Sequence, residues 1–202
     1  MSPKHRGSRA LTAAAVRLAR LIGPEDCVLI GGLAVSVHGF VRATDDIDFI
    51  TRRSLEEIRT RLLDAGIETR LLRGDVLDGG FSCLKGEIDG IAFDVLPRLV
   101  PLVWEEALEV EFQKGNLRVV DLDGLLQLKF RAGGPQDMVD VARLVLHHPS
   151  MGARARELAT AYRLLDRFEA VINSPRIRAQ EEAEQSRRPL GKRRTKPART
   201  KS

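Results

Sequence analysis

The chain has 202 residues, 43% of them apolar and 30% charged, with a formal net charge of +5. That size and balance suit one globular domain with a small appendage and exclude a disordered or fibrous chain. No apolar run approaches the ~20 residues of a membrane span, and the polar start Met1–Arg9 leads into no signal-type apolar core, so a cytoplasmic protein without a membrane partner is expected. The positive charge is local: Arg187–Ser202 holds eight Lys and Arg and no acid, leaving 25 basic against 28 acidic residues in the rest. Such an end packs no core and reads either as a solvated terminus or as an electrostatic arm for nucleic-acid phosphates. Cys27 and Cys83 lie in apolar runs, and the four scattered histidines add no zinc-ligand spacing. Both cysteines are expected to be buried free thiols.

In chain order, Leu11, Ala15, Leu18 and Ile22 recur at helical spacing between Ser8 and the Gly23-Pro24 stop. Cys27–Ile30 has strand character and runs into a Gly31-Gly32 turn, with a short helix over Leu33–His38 closed by Gly39. Asp46–Thr51 alternates as a strand, and Ser54 starts a helix that ends near Ala65. Strands are predicted over Glu68–Leu72, Phe81–Glu87 and Ile91–Leu96. Asp78-Gly79-Gly80 precedes the second, and Asp89-Gly90 joins the second and third as a tight hairpin. A short helix near Val103–Leu108 and a strand pair at Val110–Phe112 and Leu117–Val120 follow. Helices are then predicted over Asp123–Arg131, Pro135–His147 and Met151–Val171. The fold class is α/β (α+β), with a catalytic unit over 1–121, a helical part over 122–172 and a disordered basic tail over 173–202.

The residues that carry chemistry follow from this placement. Side chains alternate faces along a strand, so Asp46 and Asp48 project to one side while Ile47 and Phe49 enter the core. Two carboxylates side by side repel unless a cation compensates, and hard divalent ions take oxygen ligands, so the pair reads as a metal seat. Asp94, between apolar Phe93 and Val95, supplies a third carboxylate. Asp45 falls on the opposite face if the strand reaches it, and Asp89 is explained by its turn, so both are excluded. A Gly31-Gly32 turn lets backbone N–H groups approach an anion. Arg42 reads either as a phosphate contact or as a solvated side chain. His38 is expected on a helix surface, and Trp104 and Phe112 in the core.

Gly31-Gly32, the short helix, Arg42-Ala43-Thr44-Asp45-Asp46-Ile47-Asp48 and Asp94 together resemble the signature of the DNA polymerase beta-like nucleotidyltransferase superfamily. The resemblance is nearest to small bacterial and archaeal toxin-like, abortive-infection-type members, which also carry helices like Asp123–Lys129 and Asp137–Asp140. It spans about Val28–Leu146. It implies a nucleotidyltransferase fold, a mixed β-sheet flanked by helices and followed by a helical part. It puts Gly31 and Gly32 at the phosphates, with Asp46, Asp48 and Asp94 on two Mg²⁺ ions or on Mn²⁺. It also puts Lys129 near the nucleotide, a position that reads equally well as the polar face of an amphipathic helix. The implied activity is transfer of a nucleoside monophosphate from a nucleoside triphosphate to a hydroxyl of an RNA such as tRNA, a protein or a small molecule, with an antitoxin protein as a partner if the chain is a toxin. The competing readings are a nucleotide-binding module without turnover and a nucleic-acid-binding protein acting through its basic tail. A Rossmann-type site is disfavoured by the absence of G-x-G-x-x-G.

Overall fold

A computed structural model describes residues 3–40, 43–74, 82–98, 104 and 106–187. It is mixed α/β: a seven-stranded sheet carries helices and leads into an all-helical C-terminal part. The first helix, α1, runs over Pro3–Ile22, further toward the N-terminus than the Ser8 start expected. Its Leu11, Ala14, Ala15, Leu18, Ala19 and Ile22 are buried at helical spacing, which gives one continuous apolar stripe for the sheet. Strand β1 (Cys27–Ile30) is buried along its whole length and passes directly into α2 (Gly31–Val37). The glycines therefore open the helix itself and do not form a separate turn before it. Then come β2 (Asp46–Thr51) and α3 (Leu55–Asp64), whose Ser54 cap accepts the Glu57 N–H at 3.2 Å.

Strands β3 (Thr69–Leu72), β4 (Cys83–Ile88) and β5 (Ile91–Pro97) form one side of the sheet, and β6 (Leu108–Phe112) with β7 (Gly115–Val119) the other. The order is β3-β4-β5-β2-β1-β7-β6, so β2 lies at the centre. It pairs parallel with β5 and antiparallel with β1. The β4–β5 hairpin turns on Asp89 and Gly90, both at positive φ (54° and 77°), as a two-residue turn of this kind requires. The Asp78-Gly79-Gly80 turn and most of the helix expected near Val103–Leu108 lie outside the described residues; Leu108 itself begins β6.

Beyond the sheet, α4 (Leu122–Ala132) is capped by Asp121, which accepts from the N–H groups of Asp123 and Gly124, and it ends at Gly133 in the left-handed conformation (φ 64°). Helix α5 (Pro135–His147) follows. The single helix expected over Met151–Val171 is two helices, α6 (Gly152–Ala161) and α7 (Leu165–Ile172). The chain turns between them at Arg163, a non-glycine residue at φ 59°. Phe168 of α7 is thereby fully buried edge-on against Phe130 of α4, with ring centroids 5.6 Å apart.

The disordered tail expected from residue 173 needs correction, because α8 runs over Pro175–Arg187. Pro175 starts it, Ile177 is buried, and Gln180 accepts a hydrogen bond from Arg143 of α5. Ile177 and the Arg143–Gln180 contact help seat a helix whose sequence is mostly polar. Residues 188–202 lie outside the described residues. Among the described residues no helix is long and apolar enough to cross a membrane. Cys27 and Cys83 are buried and free, and Trp104 is buried.

Candidate active site

Pairing register brings the carboxylates together. In the parallel ladder of β2 with β5, Asp48 lies directly opposite Asp94, and Asp46 opposite Ala92. Partners in register share a face, and so do residues two apart, so Asp46, Asp48 and Asp94 occupy one face of the central strands. Ile47, Phe49 and Phe93, between them in sequence, are buried at 0–1% exposure. The apolar side chains fix the register, and the register groups the acids.

Across β2 on its other side, Asp48 is opposite Ile30, the last residue of β1. There the chain enters α2 through Gly31 at φ 67°, and a Cβ at Gly31 would stand 1.8 Å from Asp48 Oδ2. Glycine is required twice at this position, by its backbone conformation and by the carboxylate lying against its Cα. Gly32 is buried behind it. The electrostatic cost falls on Asp48: burial first, then the charges of Asp46 and Asp94, push its carboxyl up to about 6, against opposing pulls from Lys129 and Lys85.

Each remaining carboxylate has a partner. Asp46 accepts a hydrogen bond from the Thr44 hydroxyl at 2.8 Å. Asp94 forms an ion pair with Lys85, its direct cross-strand partner in the β4–β5 hairpin. The Asp94 hydrogen bond is the main cause that raises the Lys85 pKa, outweighing partial burial. Lys85 was missed in the sequence, although its signal was there: a two-residue Asp89-Gly90 turn sets Ile88 against Ile91, and counting back sets Lys85 against Asp94.

Lys129 is not on a solvated helix face. It is buried, with Nζ 2.8 Å from Asp137 Oδ1 and 2.9 Å from Asp140 Oδ2, and Asp140 is itself fully buried. Burial pulls the lysine pKa down, but the two carboxylates outweigh it and hold it above the ordinary value. Asp137 also accepts from the Gly134 N–H at 3.0 Å, so one carboxylate caps α5 and ties it to α4. The reading of Lys129 as part of a helix's polar face is therefore revised. Lys129 still contributes to the field at Asp48.

Asp45 is exposed and lies one residue before β2, and Asp89 pairs with Arg17 at the hairpin tip. Arg42 lies outside the described residues. His38 is not a free surface residue: its Nε2 is 2.8 Å from the Val120 carbonyl, and its own carbonyl accepts from His148 Nε2 at 2.7 Å.

The oxygen-only set and the uncompensated load on Asp48 fit a hard dication. As the side chains stand, Asp94 is turned to Lys85 and Asp46 to Thr44. Among the described residues no three acid, histidine or cysteine side chains are grouped closely enough to chelate. The residues fit the ion in kind and on one face, and rotation of Asp94 away from Lys85 is what chelation demands.

No family model matches the sequence, and no curated protein is significantly similar to it. Among solved structures, an antigenic nucleotidyltransferase-like protein from Paracoccidioides brasiliensis is 15% identical with a TM-score of 0.49, over 87% of this chain and 93% of that one. The antibiotic-resistance factor ANT(2″)-Ia is 17% identical with a TM-score of 0.48, over 88% and 99%. A candidate nucleotidyltransferase from Thermotoga maritima is 19% identical with a TM-score of 0.46, over 58% and 84%. Likeness at this level leaves function to be argued from the residues themselves.

Proposed function

We propose that the chain is a metal-dependent nucleotidyltransferase that moves a nucleoside monophosphate from a nucleoside triphosphate to an acceptor hydroxyl and releases pyrophosphate. The observation that carries this reading is the β2–β5 register, which sets Asp48 against Asp94 with Asp46 on the same face, beside the glycine entry of α2. Two Mg²⁺ ions held by Asp46, Asp48 and Asp94 would supply charge neutralisation of the phosphates and acidification of the acceptor hydroxyl. The protein's own part is positional. The central strands set the three carboxylates on one face, and release of Asp94 from Lys85 is the rearrangement left for cation binding. Gly31 leaves room for the Asp48 carboxylate to lie close to the backbone, and buried Lys129 adds fixed positive charge near it. The new bond joins the acceptor oxygen to the α-phosphorus as the bond to pyrophosphate breaks, and the hydroxyl proton is released; no covalent enzyme intermediate is required.

The acceptor class is RNA, protein or a small molecule. The resemblance to toxin-like members extends the proposal to a cytoplasmic toxin with an antitoxin partner. The test is incubation with each α-labelled triphosphate, Mg²⁺ and total cellular RNA or protein, with Asp48→Asn alongside. Label transferred by the native protein and not by the variant supports the reading. Absence of transfer and of pyrophosphate release with every triphosphate counts against it.

A further inference from the structure

We propose that Lys85 is an exchangeable counter-ion built into the site, a positioning residue that holds Asp94 in the metal-free protein and yields it to a divalent cation. The inference rests on reading Asp46, Asp48 and Asp94 as metal carboxylates, and it adds a fourth residue that governs when that set becomes available.

Three observations support it. Lys85 sits opposite Asp94 on β4 while Asp48 sits opposite Asp94 on β5's other side, so the ammonium lies on the carboxylate face, one strand outward. It is bonded to Asp94 Oδ2, so a cation that takes this oxygen has to displace it. The pair is also open to solvent, with side chains 48% and 31% exposed. Surface pairs of this kind are worth about 1 kcal/mol or less, which a dication gathering three carboxylates outweighs.

The contrast with Lys129 sharpens the assignment. Lys129 is wedged between Asp137 and Asp140, its side chain 10% exposed, and leaving would take the cation away from a fully buried carboxylate. Lys85 has a flexible stem and a compact, readily hydrated charge, so it can swing into water. Of the two lysines that bear on Asp48, one is structural and the other can be displaced. Without Lys85, Asp94 would face Asp48 with no cation on its outer side. With it, the charge of Asp94 is offset in the metal-free protein, at the cost of weaker cation binding.

The test is Mn²⁺ titration of the full chain without nucleotide, read by the electron paramagnetic resonance signal of free Mn²⁺. Native protein is compared with Lys85→Met, Lys85→Arg and Asp48→Asn, with Lys85→Gln standing in if the Met variant melts early. Lys85→Met should bind Mn²⁺ about fivefold tighter, the factor that corresponds to ~1 kcal/mol of lost competition. Lys85→Arg, which keeps the charge, should bind no tighter than native. Equal or weaker binding by Lys85→Met, or equal tightening by the Arg variant, overturns the counter-ion role while leaving the carboxylate reading in place. Absence of binding in the native protein and the Lys85→Met variant alike, or binding unaffected by Asp48→Asn, overturns both.

Discussion

Replacing Asp48 by Asn should make the protein more stable at neutral pH and leave it nearly unchanged in acid. The carboxyl is raised from an ordinary 3.8 to about 6 by burial and by Asp46 and Asp94. Below the unfolded value both states hold the proton and nothing is lost. Between 3.8 and about 6 the unfolded chain releases its proton first, so stability falls as pH rises, and above about 6 the loss is complete. At about 1.4 kcal/mol per pH unit the full penalty is roughly 3 kcal/mol. Asn, of nearly the same volume, carries none of it. Urea unfolding from pH 4.5 to 8 should show the variant ahead by about 1 kcal/mol at the acid end and by up to ~3 kcal/mol at the alkaline end. Excess Mg²⁺ should narrow the gap by stabilising only the native protein. A variant no more stable than native at pH 7.5, or a gain that does not vary with pH, would refute the account of a carboxylate strained by burial and like charge.

Other substitutions separate the parts of the site. Gly31→Ala combines a positive-φ strain with a Cβ 1.8 Å from Asp48, whereas Gly66→Ala has a similar φ (76° against 67°) and nothing within 4 Å. The first should lower the unfolding free energy by well over the ~1–2 kcal/mol expected from backbone strain in the second, and equal losses would remove the Asp48 contact from the account. Lys129→Ala should cost about 3–5 kcal/mol in urea unfolding because it removes the cation held between Asp137 and fully buried Asp140, and a loss below ~1 kcal/mol would return Lys129 to the solvated polar face of its helix. Asp45→Asn and Asp89→Asn should keep nucleotide transfer, since one lies before the strand and the other at the hairpin tip; activity lost in either would shift the assigned register. Deleting residues 188–202, which hold few apolar side chains, should leave the melting temperature unchanged, while deleting from residue 174 should lower it by removing buried Ile177 and the Gln180 contact.

Much of the site was legible because strand period and core burial are the same constraint. Asp46-Ile47-Asp48-Phe49 alternates in sequence as it does in space, and Asp89-Gly90 declares its hairpin. The pairing of β2 with β5 was not legible, since parallel partners far apart in sequence carry no local signal. The break at Arg163 was missed because no glycine or proline marks it; tertiary packing of Phe168 on Phe130 favours the turn over a continuous helix. Helix α8 was read as tail because its composition is polar and its one buried anchor, Ile177, makes no periodic pattern. Lys129 was ambiguous for a related reason: helical spacing shows which face a residue takes but not that two aspartates on the next helix enclose it.

The position of β2 in the middle of the sheet has a further consequence. A central strand with three strands on either side of it opens only when the whole domain opens, so the spacing of Asp46 and Asp48 is as durable as the fold itself. Variation has to come from elsewhere: from the outer strands β3 and β6, from the loops, and from the helices after residue 122. Under the proposed function, a change of acceptor falls to that periphery, while the carboxylate spacing stays with the central strand.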